Sequence, residues 1–229
     1  TTPVLLAYFD ELIGELPQLP TTCFPKSPAL PPMWAHYSKN LEGFAIEFDE
    51  EAIKRALPQA NFGDVDYESG PSQGLLDLLN KSFVLRKPRY IAWLHQGVFS
   101  AAYYTKAKYW EYENERRMVT AIEGVRENDN LLLVDMPKDC VRAVIAGPRS
   151  SEELREKLKT KAEIFGCNYY EMNIGRSSTT PFFVDINKTT FLFDGEVLIP
   201  STQLCDVCKE PQALGAKRCS WCKINNSHR

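Results

Sequence analysis

The sequence predicts an α+β protein: a mixed sheet with packed helices, extended by a small C-terminal zinc ribbon. Three observations predict it. Strand-like segments come in runs rather than in strict alternation with helices, which argues against a doubly wound parallel sheet. Residues 72 to 107 read as mostly helical, and a second, charged helix follows Ser150 or Ser151. Finally, Cys205-Asp-Val-Cys208 and Cys219-Ser-Trp-Cys222 form two C-x-x-C knuckles near the end of the chain. These divide it into an α+β domain over residues 1–200 and a ribbon over 201–229.

Each element has a local reason. Pro3 suits a helix start, and Val4, Leu5, Tyr8, Phe9, Leu12 and Ile13 recur at helical spacing, so residues 3 to 16 read as a helix. Six prolines between Pro17 and Pro32 demand loop or extended chain. Gly43 to Asp49 alternates apolar and polar as a strand does, and Asp49 is placed to cap a helix over 50–57. Phe62 to Tyr67 reads as a strand, and Pro88 interrupts the long helical stretch. Arg116 to Ile122 alternates again, Leu131 to Val134 is a short apolar run, and Val141 to Ala146 is a strand ended by Gly147 and Pro148. The charged helix stops at Gly166, and residues 183–199 carry two or three short strands around an Asp194-Gly195 turn. Ala45, Ile46, Phe48, Val119, Ala121, Val144 and Ile145 are the expected core strand residues.

Composition narrows the class. The chain has 229 residues, 44% hydrophobic and 11% aromatic, which suits a globular protein with a real core. A net charge of -3 does not advertise nucleic acid or an anionic membrane overall. No apolar run approaches the roughly 18 residues of a membrane span, and no signal-peptide pattern is present. Cys23, Cys140 and Cys167 are odd in number and widely spaced. Free thiols beside a metal cluster suit a reducing compartment, so a cytoplasmic location without a membrane partner is expected. The chain begins with Thr1, and an N-terminal piece is expected to be missing.

The four ribbon cysteines carry the firmest chemistry. Two knuckles ten residues apart can bring four thiolates to one tetrahedral zinc ion, in a structural role. The alternative is a pair of disulfides. Lys209, Lys217, Arg218, Lys223 and Arg229 gather there with Trp221, so the ribbon is a candidate surface for nucleic acid or a protein partner.

Two other segments could carry a site. His36 and Tyr37 stand just before the strand at Gly43, where an imidazole can bond a hydroxyl or move a proton; the plain alternative is a histidine bonded under a loop. Glu111, Glu113 and Glu115 occur at alternate positions, and an extended chain would set all three on one face. Lys106, Lys108, Arg116 and Arg117 could neutralise them; otherwise they surround a cationic transition state or a metal such as Mg²⁺. Trp110 and Tyr112 are expected to point to the core, His95 to be buried and satisfied, and His228 to lie in a tail. The helix 151–163 reads as a solvated face with i,i+4 pairs.

Together these segments resemble the bacterial domain of unknown function 2971 family, over about residues 20–165. The matching motifs, in order, are Cys23-Phe24, Met33-Trp34-Ala35-His36-Tyr37, Gly43 to Asp49, Val65-Asp66-Tyr67, Lys106 to Arg117 and Val141 to Gly147. The family's usual N-terminal basic strand and Asn-Asp-Pro-Phe loop are absent. Its layout is similar to that of ADP-ribosyltransferases, which implies an NAD-processing effector acting in bacterial defence or toxicity, a glycosyltransferase on NAD. In that reading Glu113 or Glu115 stabilises the oxocarbenium charge, His36 holds the ribose, and Tyr37 and Trp34 flank the nicotinamide, all in one cleft. A non-catalytic sensor or adaptor docking through the ribbon, and a metal-dependent nuclease using the acidic face, are the alternatives.

Overall fold

Local punctuation decides most of the boundaries. The computed structural model describes residues 2–70, 72–129, 131–212 and 215–227; His228 and Arg229 lie outside the described residues. The chain runs through α1 (Pro3–Ile13), β1 (Thr21–Pro25), α2 (Pro31–Tyr37), β2 (Phe44–Phe48), α3 (Glu50–Ala56), β3 (Asn61–Asp64) and β4 (Asp66–Glu68). It continues through α4 (Gln73–Leu85), α5 (Pro88–Tyr104), β5 (Thr105–Ala107), a 3₁₀ turn at Lys108–Glu113, β6 (Glu115–Val119), β7 (Arg126–Asn128) and β8 (Leu131–Leu133). The last elements are β9 (Val141–Ala146), α6 (Glu152–Phe165), β10 (Asn168–Ile174), β11 (Pro181–Asp185), β12 (Thr190–Phe193), β13 (Leu198–Pro200) and α7 (Ser220–Ser227). Helices and a mixed sheet confirm the α+β class.

Two compact units divide the chain. The first takes Thr1–Pro25 and Gln59–Asp135, the second Lys26–Pro58 and Met136–Arg229. In the first, β6 is the centre of a three-stranded antiparallel sheet in the order β1-β6-β3, and β4 pairs in parallel with β5. Beside it, α1, α4 and α5 bury Leu5, Leu79, Leu94 and Val98 in one apolar cluster. Met118 and Val119 of β6 are fully covered. His95, on α5, is exposed rather than buried, because the apolar face of this helix is set by Leu94 and Val98.

The second unit is built on a six-stranded sheet in the order β13-β12-β11-β10-β9-β2. Only β9 and β10 run parallel, and α6 is the helix between them. Ser151 caps α6 by accepting from the Leu154 amide, and Gly166 ends it in the left-handed region at φ 68°, which costs glycine no Cβ clash. One face of the sheet packs Val144, Ala146 and Tyr169 under Leu158 and Ala162 of α6. The other packs Ala143, Ile145, Tyr170, Met172 and Phe183 around Trp34. Side chains as large as Phe183 and Met172, buried this fully, each contribute about 2–3 kcal/mol. On the solvent side of α6, Lys157 pairs with Glu153 at 2.6 Å, as the i,i+4 spacing predicts.

Asp49 caps α3 as expected, accepting from the amides of Glu51 and Ala52. Ile46 departs from expectation. It is 41% exposed because β2 is an edge strand of the sheet, with a partner on one side only. Strand β10 was not read from the sequence, although Tyr169-Tyr170-Glu171-Met172 carries β-formers.

Candidate functional sites

The buried charge of the first unit is set by a turn. Lys108–Glu113 winds as a 3₁₀ turn, Asn114 takes φ 44°, and the chain then straightens into β6. The expected acidic face therefore does not form. Glu111 is exposed and pairs with Lys108 at 2.5 Å, whereas Glu113 and Glu115 are 1% and 3% exposed. The same turn leaves Trp110 half-buried and Tyr112 38% exposed, rather than in the core.

Glu113 and Glu115 share one ammonium. Lys106 Nζ donates to Glu113 Oε2 and to Glu115 Oε2, the latter at 3.1 Å. Arg117 Nε donates to Glu115 Oε1 at 2.9 Å, and its Nη1 donates to the Tyr103 carbonyl at 2.6 Å. The Glu115 amide donates to the Tyr67 hydroxyl oxygen at 2.9 Å. Burial alone would raise the Glu115 carboxyl, but hydrogen bonds from Arg117, Cys23 and Lys106 override it and hold the group at about 2. Lys106 is pushed up to about 12, since bonds to Glu113 and Glu115 outweigh the desolvation that opposes them. Cys23 is pushed the other way from a reactive thiol, to about 11, by desolvation and by the Glu115 carboxylate. Two carboxylates and two cations make a neutral, internally bonded quartet.

His36, Tyr37 and Trp34 belong to the second unit. They lie on α2, a helix where the sequence suggested loop, which begins at Pro31 because a proline is tolerated in a first turn. Trp34 is 4% exposed in the sheet core and donates from Nε1 to the Pro28 carbonyl at 2.7 Å. It offers no open face to a ligand. His36 and Tyr37 are exposed, with ring centroids 6.5 Å apart and edge-on.

The four cysteines do converge. Sγ atoms of Cys205, Cys208, Cys219 and Cys222 all lie within 4.8 Å of one another, and none is in a disulfide. Cys208 Sγ and Cys219 Sγ are 3.7 Å apart. Four sulfurs about 2.3 Å from a tetrahedral ion would stand about 3.8 Å apart, so the residues fit such an ion. The Cys219 amide donates to Cys205 Sγ at 3.4 Å and the Cys222 amide to Cys219 Sγ at 3.3 Å, as suits sulfurs carrying negative charge. Burial resists ionisation of Cys205, but amides of Cys208, Cys219 and Val207 bring its thiol down to about 6. The Cys219 thiol beside Cys222 instead pushes Cys222 up to about 12, and burial raises Cys208, so in the absence of an ion the negative charge gathers on Cys205. The first knuckle follows a bridge between Leu204 and Pro211, and the second runs straight into α7, which carries Cys222. Among the described residues this is the one cluster of His, Cys, Asp or Glu placed to hold a metal.

Glu210 fastens this module to the sheet, a role that no motif around it announces. It is 3% exposed, and its carboxylate accepts from the amides of Arg176 at 3.2 Å, Ser177 at 3.0 Å and Ser178 at 3.1 Å. Those amides belong to the loop between β10 and β11. Gly175 is required beside it, because a Cβ there would come within 2.2 Å of Glu210 Oε1. The signal available in the sequence was a carboxylate two residues beyond Cys208, opposite a Gly-Arg-Ser-Ser turn.

Fold and sites together define an α+β protein with a metal-type cysteine module anchored to its larger sheet. Residues 33–118 match the model of a family described as Protein of unknown function (DUF2971), and the chain is similar to that family over this stretch. The match runs from α2 to β6 and leaves out the cysteine module. Searches of the curated proteins and of the solved structures find no match to this chain. Among the described residues no helix is long and apolar enough to cross a membrane.

Proposed function

We propose that this chain is a zinc-dependent binding protein, a sensor or adaptor that docks its partner through the C-terminal module and does no chemistry at the metal. The observation that carries the reading is the convergence of four cysteine sulfurs at tetrahedral spacing, with three of those residues buried. A closed set of four thiolates leaves no coordination position for water or substrate, which is the mark of a structural ion. Soft sulfur donors in this geometry favour zinc. The purified chain should hold about one equivalent of zinc, and chelation should change Trp221 emission. Less than about half an equivalent, or a stoichiometric metal other than zinc, would overturn the reading.

A second reading, glycosyl transfer from NAD in the manner of an ADP-ribosyltransferase, is favoured by the buried pair Glu113 and Glu115. Lys106 already sets a positive charge against both carboxylates. A developing oxocarbenium ion presents charge of the same sign, so it would take over a role that the ammonium now fills. Glu115 is then the catalytic carboxylate, with Glu113 beside it. Incubation with NAD should release nicotinamide, and Glu115→Gln should abolish turnover while sparing binding. No release above the buffer rate would end this reading. The nuclease reading lacks its third carboxylate, since Glu111 stands apart at the surface, paired with Lys108.

A further inference from the structure

We propose that the cleft between the β10–β11 loop and the cysteine module binds single-stranded nucleic acid. The inference rests on the zinc-module reading above and names its partner. The cleft measures about 670 Å³, within the range of ligand sites, and Asn173, Arg176, Val207, Glu210 and Trp221 are among its walls.

Three features point to this occupant. The first is charge. Within residues 173–182 and 201–224 the cations are Arg176, Lys209, Lys217, Arg218 and Lys223, all exposed, and the one exposed carboxylate is Asp206. None of the five cations pairs with a carboxylate among the described residues, whereas Arg116, Arg126 and Arg155 elsewhere do. The other local acid, Glu210, is buried and committed to three amides. The metal centre's own negative charge sits on cysteines of which three are buried.

The second feature is a stacking platform. Trp221 is 42% exposed, and the Arg176 guanidinium lies 5.7 Å from its ring centroid. Indole and guanidinium are the planar groups on which unpaired bases stack, and every base has a π-face to offer. The third is rigidity. Glu210 and Gly175 fix the loop that carries Arg176 against the knuckle that carries Cys208, so the platform is formed before ligand arrives. A recess lined by stacking groups suits a splayed base better than a stiff duplex. An acidic peptide would answer to the cations but would leave Trp221 without a role.

Fluorescence anisotropy of the full, zinc-loaded chain with a labelled 20-nucleotide oligothymidylate tests the proposal, with oligouridylate and a 20-base-pair duplex in parallel. Binding should favour the single strands over the duplex by at least about tenfold. Trp221→Ala should weaken it by about tenfold or more, as loss of one stacked base does. Because Trp221 adjoins Cys222, zinc content is measured in that variant, and Arg176→Ala supplies an independent loss of the stack. Lys217→Ala should lower the slope of log K against log salt by about 0.7, one phosphate contact on a single strand. Equal affinity for a polyglutamate peptide, preference for duplex, or unchanged binding by zinc-replete Arg176→Ala and Trp221→Ala would overturn the proposal. A chain that holds its zinc yet ignores every oligonucleotide refutes the nucleic-acid site alone; a chain without zinc refutes the parent reading.

Discussion

Glu113 and Glu115 in the first unit and Glu210 in the second are the deeply buried carboxylates among the described residues, at 1%, 3% and 3% exposed. They are satisfied by different partners. The first two are held by charged side chains, Lys106 and Arg117, which had to be desolvated themselves. Glu210 is held by backbone amides of Arg176, Ser177 and Ser178, which carry no net charge and are fixed by the loop. The quartet therefore depends on every member keeping its charge, and removing one exposes the rest to an uncompensated burial cost. The amide cradle depends on geometry, and it joins a small cysteine module to a large sheet.

Several experiments press on that contrast. The largest effect should come from Cys219→Ser. Structural zinc contributes about 10–16 kcal/mol of apparent binding free energy in small zinc modules, and a module this size has little other core. Zinc content should fall below about 0.2 equivalent, with the helices and sheet of the rest retained in far-ultraviolet circular dichroism. Collapse of the whole spectrum would show that the six-stranded sheet leans on the module, and would erase the distinction between cradle and core.

Lys106→Met should cost about 3 kcal/mol in urea unfolding, because two buried carboxylates lose their shared cation. The double variant Lys106→Met, Glu113→Gln should recover part of that loss. A change under about 1 kcal/mol in the single variant would mean that Arg117 alone suffices, and that the quartet is not a unit.

Acid should act on the same quartet. The Glu115 carboxyl is depressed from 4.5 to about 2 in the folded chain. A depressed carboxyl stabilises fully above its unfolded value, and that contribution is lost as pH falls from about 4.5 through about 2. The loss should be on the order of 2–3 kcal/mol, and Glu115→Gln should flatten this limb of the pH–stability curve. An unchanged limb would assign acid sensitivity to other carboxylates.

The smallest effect belongs to the cradle. Gly175→Ala pushes a Cβ against Glu210 Oε1 and should cost about 1–2 kcal/mol, with faster amide exchange at Arg176 to Ser178. Exchange unaltered there would mean that the three amides are protected without Glu210.

Much of this could be read from the chain before folding. Asp49 before an amphipathic run, Ser151 and Gly166 bracketing a charged helix, and Pro88 dividing α4 from α5 are local signals acting within a turn or two. The cysteine knuckles are likewise local, since each pair is brought together by its own tight turn. The alternation of Glu111, Glu113 and Glu115 does not translate into one acidic face, because the chain winds as a 3₁₀ turn and Asn114 in the left-handed region breaks its direction. Exposure of His95 and Ile46 depended on which face of α5 found a partner and on β2 lying at an edge.

By itself, then, the sequence determined the α+β class, the order of most helices and strands, and the four cysteines as one set that could hold a metal. All of these follow from short-range periodicity, capping and spacing. Only the tertiary structure decided that Lys106 and Arg117 neutralise Glu113 and Glu115, that Trp34 is core, and that Glu210 reaches Arg176 to Ser178. Those partners are set by long-range packing, where contact depends on how sheets and turns close rather than on any interval along the chain.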